Sequence, residues 1–288
     1  MTYPAPAHSR PRLPPISSPT NSLIKVFRRA LKEGITSDGW VGVEGPLTID
    51  ELLRSEAASL KSPLLRSASR IRSVLVSESS AAKYQPLLAQ LAAGAEIAQA
   101  QDRIFRSVAQ TVNPQGIAAL VEVHPPDFSS VLVQPNVLLL VACGLQEPGN
   151  LGTIARTAEA FGAGALLALV STVSIFNPKA VRASGGAVFR LPVYPGLQAG
   201  QTLDLLVSGG VGIAAADPHG GAPLPGSDLR GPLAILIGNE KAGLDPDIAS
   251  RSNLRLRIPI RPEVDSINAA ISAGILLHEA ARQRGFRY

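Results

Sequence analysis

Four short runs of this chain are apolar at every position: 137–142, 165–170, 211–215 and 233–237. None alternates apolar with polar residues, as a strand with one wet face would. Such runs need cover on both faces, the condition of strands in a parallel sheet flanked by helices. Segments of helical character separate them, and strand–helix alternation is the mark of an α/β fold. Each run is five or six residues long, the length of a buried strand and far short of the ~20 residues of a membrane span. In an open parallel sheet, ligands bind where loops leave the carboxyl ends of the strands. The chemistry is therefore expected just after these runs.

The 288 residues suggest two domains. Residues 1–20 hold six prolines, which exclude a helix or a central strand, and are expected to be a disordered tail. Residues 21–125 are expected to form a small α/β domain. It begins with a helix capped by Asn21 or Ser22, followed by strands over 39–43, 73–77 and 117–123 and helices over 49–58, 81–91 and 102–108. A linker over 126–135 follows His124-Pro125-Pro126-Asp127. Residues 136–288 carry the apolar runs and close with a long helix over 266–284, with Ile267, Ile271, Ile275 and His278 on one stripe.

Composition narrows the function. A single cysteine, Cys143, excludes an intramolecular disulfide and suits a reducing, cytoplasmic compartment. The four histidines lie far apart with no metal-ligand spacing, so no metal is expected. No secretion signal or membrane span is visible. Cys143 and His278 read as core-facing residues. The net charge of +5 is spread over both halves and permits nucleic acid as a partner without demanding it.

Three segments join a buried strand to small or polar residues. The first is Gln146-Glu147-Pro148-Gly149-Asn150-Leu151-Gly152-Thr153-Ile154-Ala155-Arg156-Thr157-Ala158. The second is Gly238-Asn239-Glu240-Lys241-Ala242-Gly243-Leu244, and the third is Ile258-Pro259-Ile260, with Ser266-Ile267-Asn268 after a short loop. A dinucleotide-binding reading fails, because no G-x-G-x-x-G follows the strand and no acidic residue stands ~20 residues on. A Walker lysine is also missing.

In this order the three segments resemble the three motifs of the SpoU/TrmH-type RNA ribose methyltransferases of the SPOUT superfamily: N-x-G-x-I-x-R-T-A, G-x-E-x-x-G-L, and I-P-M with S-L-N. Lys241, Ile260 and Ile267 depart from the commonest residues, the two isoleucines near-isosterically. Further likenesses are Val43-Glu44-Gly45-Pro46, Pro114-Gln115-Gly116 and the run from Asn177 to Gly186.

The resemblance implies methyl transfer from S-adenosylmethionine to a ribose 2′-hydroxyl of structured RNA, with rRNA ahead of tRNA. It also implies a parallel-sheet domain with a C-terminal trefoil knot, a ribosomal-protein-like substrate domain before it, and a homodimer whose active sites are completed near the subunit interface. By the same resemblance Arg156, Asn150, Glu240, Ser266 and Asn268 are the catalytic set, and Gly238, Ile258, Ile260 and Ile267 line the cofactor.

Physically, a guanidinium stays protonated, so Arg156 suits gripping a phosphate beside the hydroxyl better than acting as a base. Asn150 fits a helix N-cap, and either Ser266 or Asn268 should cap the last helix. Lys25, Arg28, Arg29 and Lys32 fall at i, i+3, i+4 and i+7 on one helix face, a candidate RNA-phosphate stripe, with Arg66, Arg70 and Arg72 as a second cluster. The rival readings are a SPOUT relative that methylates a base and an RNA-binding relative without catalysis. The R-T-A and S-I-N pattern counts against the first, and the presence of Arg156, Glu240 and Asn268 against the second.

Overall fold

The computed structural model describes residues 14–59, 69–91 and 94–286. Asn21 caps the first helix, α1 (Ser22–Glu33), by accepting the amides of Leu23 and Ile24 at 2.9 and 3.4 Å. Its apolar stripe of Ile24, Phe27, Ala30 and Leu31 is buried. The helix ends at Gly34, whose φ of 95° is disfavoured for other residues. A Cβ there would come 2.0 Å from the Phe176 carbonyl oxygen, far into the second domain. Helix and inter-domain contact thus share one glycine.

Then come β1 (Trp40–Glu44), α2 (Pro46–Ser59), β2 (Arg70–Ser77), α3 (Gln85–Leu88), β3 (Glu96–Ala100), α4 (Asp102–Arg106) and β4 (Ile117–Glu122). They form a four-stranded sheet in the order β1-β4-β2-β3, parallel only between β2 and β3. The helix expected over 81–91 shrinks to α3 behind a 3-10 turn at Glu78–Ser80. Strand β3 was not anticipated: Glu-Ile-Ala-Gln-Ala is a half-exposed edge with little β-branched content.

Two expectations need correction. The tail expected over 1–20 lies outside the described residues up to residue 13, but its end joins the fold. Ile16 bridges the β3 edge, donating its amide to the Gln99 carbonyl at 2.7 Å and accepting from Gln101 at 3.1 Å. The linker expected over 126–135 contains α5 (Phe128–Leu132). Val131 is fully buried, and the Phe128 ring packs 5.1 Å from that of Tyr194, whose hydroxyl donates to the Pro126 carbonyl. Apolar residues at 128, 131 and 132 make this segment part of the second core.

The remaining elements are β5 (Leu138–Ala142), α6 (Pro148–Ala160), β6 (Ala165–Leu169), α7 (Pro178–Ala183), β7 (Val193–Leu197), α8 (Ala199–Ser208), β8 (Gly212–Ala216), β9 (Ala222–Pro223), β10 (Leu233–Ile237), α9 (Pro246–Ser250), β11 (Leu254–Arg257) and α10 (Ala269–Gln283). All seven strands pair in parallel, in the order β7-β6-β5-β10-β8-β11-β9. The apolar runs occupy the centre, as double cover requires. Along β5, Leu138, Leu140 and Ala142 face one core, while Val137, Leu139, Val141 and Cys143 around them face the other. The first core continues without a break into the substrate domain. The buried Ser69 hydroxyl ties the two by donating to the Phe189 carbonyl at 3.0 Å.

Helix α10 starts at Ala269, later than the expected 266, with Asn268 as its cap. Its buried face is Ala269, Ala270, Ala273, Leu276, Leu277, Ala280 and Ala281, packed on α6. Ile271 and Ile275 point outward instead, 57% and 37% exposed. His278 is exposed too, its ring against Phe161 and Phe286, so the core-facing expectation for it fails. A small-residue face allows close helix packing, and it displaces the large-residue stripe outward. Cys143 is buried as expected, and burial pushes its thiol up to about 12. At pH 8 the native protein should resist alkylation by iodoacetamide, and one equivalent should react on denaturation.

Candidate active site

The strand order reverses beside β5. From there β6 and β7 extend to one side, while β10 lies against its other edge. Loops leaving β5 and β10 therefore diverge and open a crevice, the usual ligand position in such sheets. Both loops are stiffened by side chains. After β10, Asn239 accepts the amides of Lys241 and Ala242 at 2.9 and 3.0 Å and donates across the crevice to the Gly144 carbonyl at 2.7 Å. Gln146 reaches back to the Ser171 carbonyl at 2.7 Å. Neither residue was singled out from sequence, although an Asn after glycine at a strand end is a familiar turn former.

The polar residues converge on Glu240. Its carboxylate accepts the Gln146 amide at 3.2 Å, the Glu147 amide at 3.4 Å and the Asn150 side-chain amide at 3.0 Å. Burial raises its pKa, but these donors outweigh burial and hold it below the ordinary glutamate value. Asn150 in turn accepts from the Asn268 side-chain amide at 3.0 Å, while Asn268 accepts the Ala270 and Ile271 amides. All three sequence motifs thus meet in one hydrogen-bonded line, Asn268–Asn150–Glu240. The Glu240 carboxylate, engaged by three donors, ties the loop after β10 to the segment that opens α6.

One local expectation changes. Asn150 is not the helix cap: α6 begins at Pro148, the favoured first position for proline, and Glu147 caps it. Being inside the first turn frees the Asn150 amide to bridge two other motifs. Glu147 also pairs with Lys179 at 2.5 Å. Arg156 stands two turns into α6. It is exposed, and among the described residues it makes no hydrogen bond or ion pair. It lies along the backbone at Gly185, where a Cβ would come 3.6 Å from its guanidinium carbon.

Beside this line lies a cavity of about 410 Å³, within the usual range for cofactor sites. It brings together Gly238, Ile258, Ile260 and Ile267, with Glu240 and Ser266 at the margin shared with the polar line. Ile237 and Leu244 extend the apolar wall, and Asp217, His219, Arg255 and Asp265 supply polar groups that sequence reasoning did not single out. Gly238 has no alternative: a Cβ there would come 2.4 Å from the Gly243 carbonyl carbon and 2.5 Å from the Leu244 nitrogen. An apolar slot beside carboxylates and cations suits a flat heteroaromatic ring joined to a cationic, zwitterionic tail. No cluster of metal-ligating residues occurs among the described residues.

The basic stripe is only partly free. Lys25 and Lys32 are exposed, but Arg29 pairs with Glu33 at 2.9 Å, and Arg28 turns to the Pro19 carbonyl and the Ser107 hydroxyl. In the second cluster Arg72 pairs with Glu122 at 2.5 Å, and Arg66 lies outside the described residues. Replacing the exposed Lys25 and Lys32 by Gln should flatten the slope of log RNA affinity against log salt by ~1.4–1.8 units, at ~0.7–0.9 per phosphate contact. A salt titration with unchanged slope would place the RNA elsewhere.

A doubly wound sheet with a cofactor-sized cavity at the carboxyl ends of β8, β10 and β11, joined to a smaller α/β domain, defines an α/β enzyme with a separate substrate-binding domain. The comparisons give it a family. The model of the SpoU rRNA Methylase family matches residues 137–278, and that described as RNA 2′-O ribose methyltransferase substrate binding matches residues 63–127. The chain is 29% identical over 264 residues to the 23S rRNA (guanosine(2553)-2′-O)-methyltransferase of Bacillus subtilis, covering 91% of this chain and 97% of that protein. It is 30% identical over 194 residues to the 23S rRNA (uridine(2479)-2′-O)-methyltransferase of Streptomyces viridochromogenes, covering 66% and 68%. Among solved structures, the AdoMet-bound rRNA methyltransferase from Sinorhizobium meliloti superposes with a TM-score of 0.79 at 25% identity, over 93% of this chain and 97% of that one. The chain belongs to the SpoU rRNA methylase family.

Proposed function

We propose that this protein transfers a methyl group from S-adenosylmethionine to a ribose 2′-hydroxyl of ribosomal RNA. The observation that carries this reading is the junction of all three motifs: Asn268, Asn150 and Glu240 in one line beside the cavity walled by Gly238, Ile258, Ile260 and Ile267. S-adenosylmethionine supplies an electrophilic methyl group on sulfonium sulfur. The chain binds its adenosine in the apolar slot, and the polar line fixes the slot's floor. Glu240 holds the 146–147 backbone and the Asn150 amide in place. Arg156, unpaired among the described residues, would grip an RNA phosphate and orient the hydroxyl; its oxygen would take the methyl group, leaving S-adenosylhomocysteine as a neutral thioether, while the hydroxyl proton passes to solvent. The relatives act on a guanosine and a uridine at different positions. A ribose hydroxyl is common to every nucleotide, so the catalytic groups do not choose the base and the target here is its own question. Mapping 2′-O-methylated positions in total RNA with and without the protein identifies it; an unchanged ribose map beside a lost base methylation would favour the rival chemistry.

The substrate domain holds the RNA, and an rRNA substrate places the enzyme in the cytoplasm. No described helix is long and apolar enough to cross a membrane. The return of the chain from β11, near the sheet edge, to α10 on α6 supports a trefoil knot in which the segment leading to Asn268 passes the 238–244 loop. Ile271 and Ile275 leave an apolar face on α10, with exposed Phe286 just past its end, and Gly274 of this helix lies against Thr157, next to Arg156. Homodimerisation through that face would cover it and complete the site. Light scattering should give twice the chain mass of 30.0 kDa, and Ile275→Asp should return the single mass. A monomer at micromolar concentration contradicts the dimer.

A further inference from the structure

The backbone beside Arg156 is held by a residue that none of the motifs contains. Arg190, just past the turn that ends α7, directs Nε and Nη2 at the two oxygens of Glu159, the latter at 2.8 Å. The same Nη2 donates to the Gly185 carbonyl at 3.2 Å, and Nη1 lies 4.0 Å from Glu51 Oε2 on α2. These partners come from three places that matter. Glu159 is one turn beyond Arg156 on α6. Gly185 is the backbone along which Arg156 lies. Glu51 belongs to the substrate domain. Gly185 and Gly186 both have positive φ, 55° and 80°, and a Cβ on Gly186 would meet Glu51 Oε2 at 2.5 Å and Arg190 Nη1 at 2.8 Å. Gly186 therefore leaves no space for a side chain while Glu51 and Arg190 are so placed. Arg190 is one-third exposed, Glu159 less, so the pair is shielded more than an ordinary surface pair.

We propose that Arg190 is a positioning residue: its fork fixes the Gly185–Gly186 turn to α6 and, through Glu51, to the substrate domain, so that one side chain sets both the aim of Arg156 and its distance from the domain that carries the RNA. This rests on the reading that Arg156 engages the RNA. Removing the fork releases a turn with two left-handed residues, and Arg156 loses the surface it lies on. Misplacement by about an ångström costs roughly 10²-fold in rate for a positioned group.

The test uses the full chain. Arg190→Gln should lower kcat/KM for RNA by ~10²-fold and leave S-adenosylmethionine affinity by calorimetry unchanged, because the cavity is built from other segments. Arg190→Lys should recover only part, since an ammonium cannot span Glu159 and the Gly185 carbonyl together. Glu51→Gln spares the Glu159 pair, so it guards against a variant that fails to fold. It should raise KM for RNA about two- to fivefold with kcat and Tm nearly unchanged. The deciding measurement is a cycle on RNA affinity: in an Arg156→Ala background, Arg190→Gln should cause no further loss. Equal losses with and without Arg156 would overturn the proposal, as would a lower Tm with normal kcat/KM, which marks a strut. Should Arg156→Ala itself leave rate and RNA affinity intact, the assignment of Arg156 falls first, and this inference with it.

Discussion

Arg156→Ala should lower methyl transfer by about 10²–10³-fold or more while S-adenosylmethionine affinity stays within a few-fold of the parent. The split follows from geometry. Arg156 is exposed on α6 and is absent from the cavity lining. No partner among the described residues neutralises it, so its charge is available to a phosphate. Arg156→Lys should fail almost as badly, because a point charge does not reproduce planar, bidentate phosphate recognition. Calorimetry beside a single-turnover methylation assay checks both. Parallel loss of cofactor binding and rate would sink the assignment, since it would place the side chain in the cofactor site.

Gly238→Ala should show the opposite split, losing the cofactor first. The added methyl would lie 2.4–2.5 Å from the Gly243 carbonyl and the Leu244 nitrogen, and these backbone atoms have no rotamer with which to yield. Overpacking of this kind costs about 1–3 kcal/mol. Here the strain falls on the 238–244 loop, which walls the cavity and carries Glu240. Cofactor affinity should drop at least ~10-fold, with a lower Tm and little change in RNA affinity, because no residue of the substrate domain lines the cavity. Titration calorimetry, thermal melts and RNA filter binding distinguish these outcomes. Unchanged cofactor affinity would mean that the cavity is not the binding site.

Much of the catalytic domain was legible in the chain because its physics is local. Uninterrupted apolar runs must be buried on both faces, and the central strands β5, β6, β8 and β10 lie where those runs fall. Glycine and asparagine at strand ends marked the loops, and the ordered motifs marked Gly238, Glu240 and Asn268 as members of one site. Elements without a strong period were lost: the edge strand β3, β7, and α8, whose residues show neither clean alternation nor a sharp stripe. The α10 face was misread because a ladder of isoleucines looks like a core stripe in sequence. In the fold, five alanines with Leu276 and Leu277 take the inside, packed on α6.

The sequence by itself determined the sheet class and the carboxyl-edge location of the site, since each follows from burial or backbone geometry within a few residues, whereas the cofactor-lining residues came from the motif resemblance. Only the tertiary structure decided which polar groups touch. Asn150 became a bridge rather than a cap because Pro148 starts α6 early and Glu240 and Asn268 arrive from 90 and 118 residues away. It likewise decided that Arg28 is tied down while Lys25 is exposed, and that Arg190, in no motif, stands between Glu159, Gly185 and Glu51. Hydrogen bonds act over about three ångströms, and spacing along the chain carries no record of which distant carboxylate or amide the fold will bring that near.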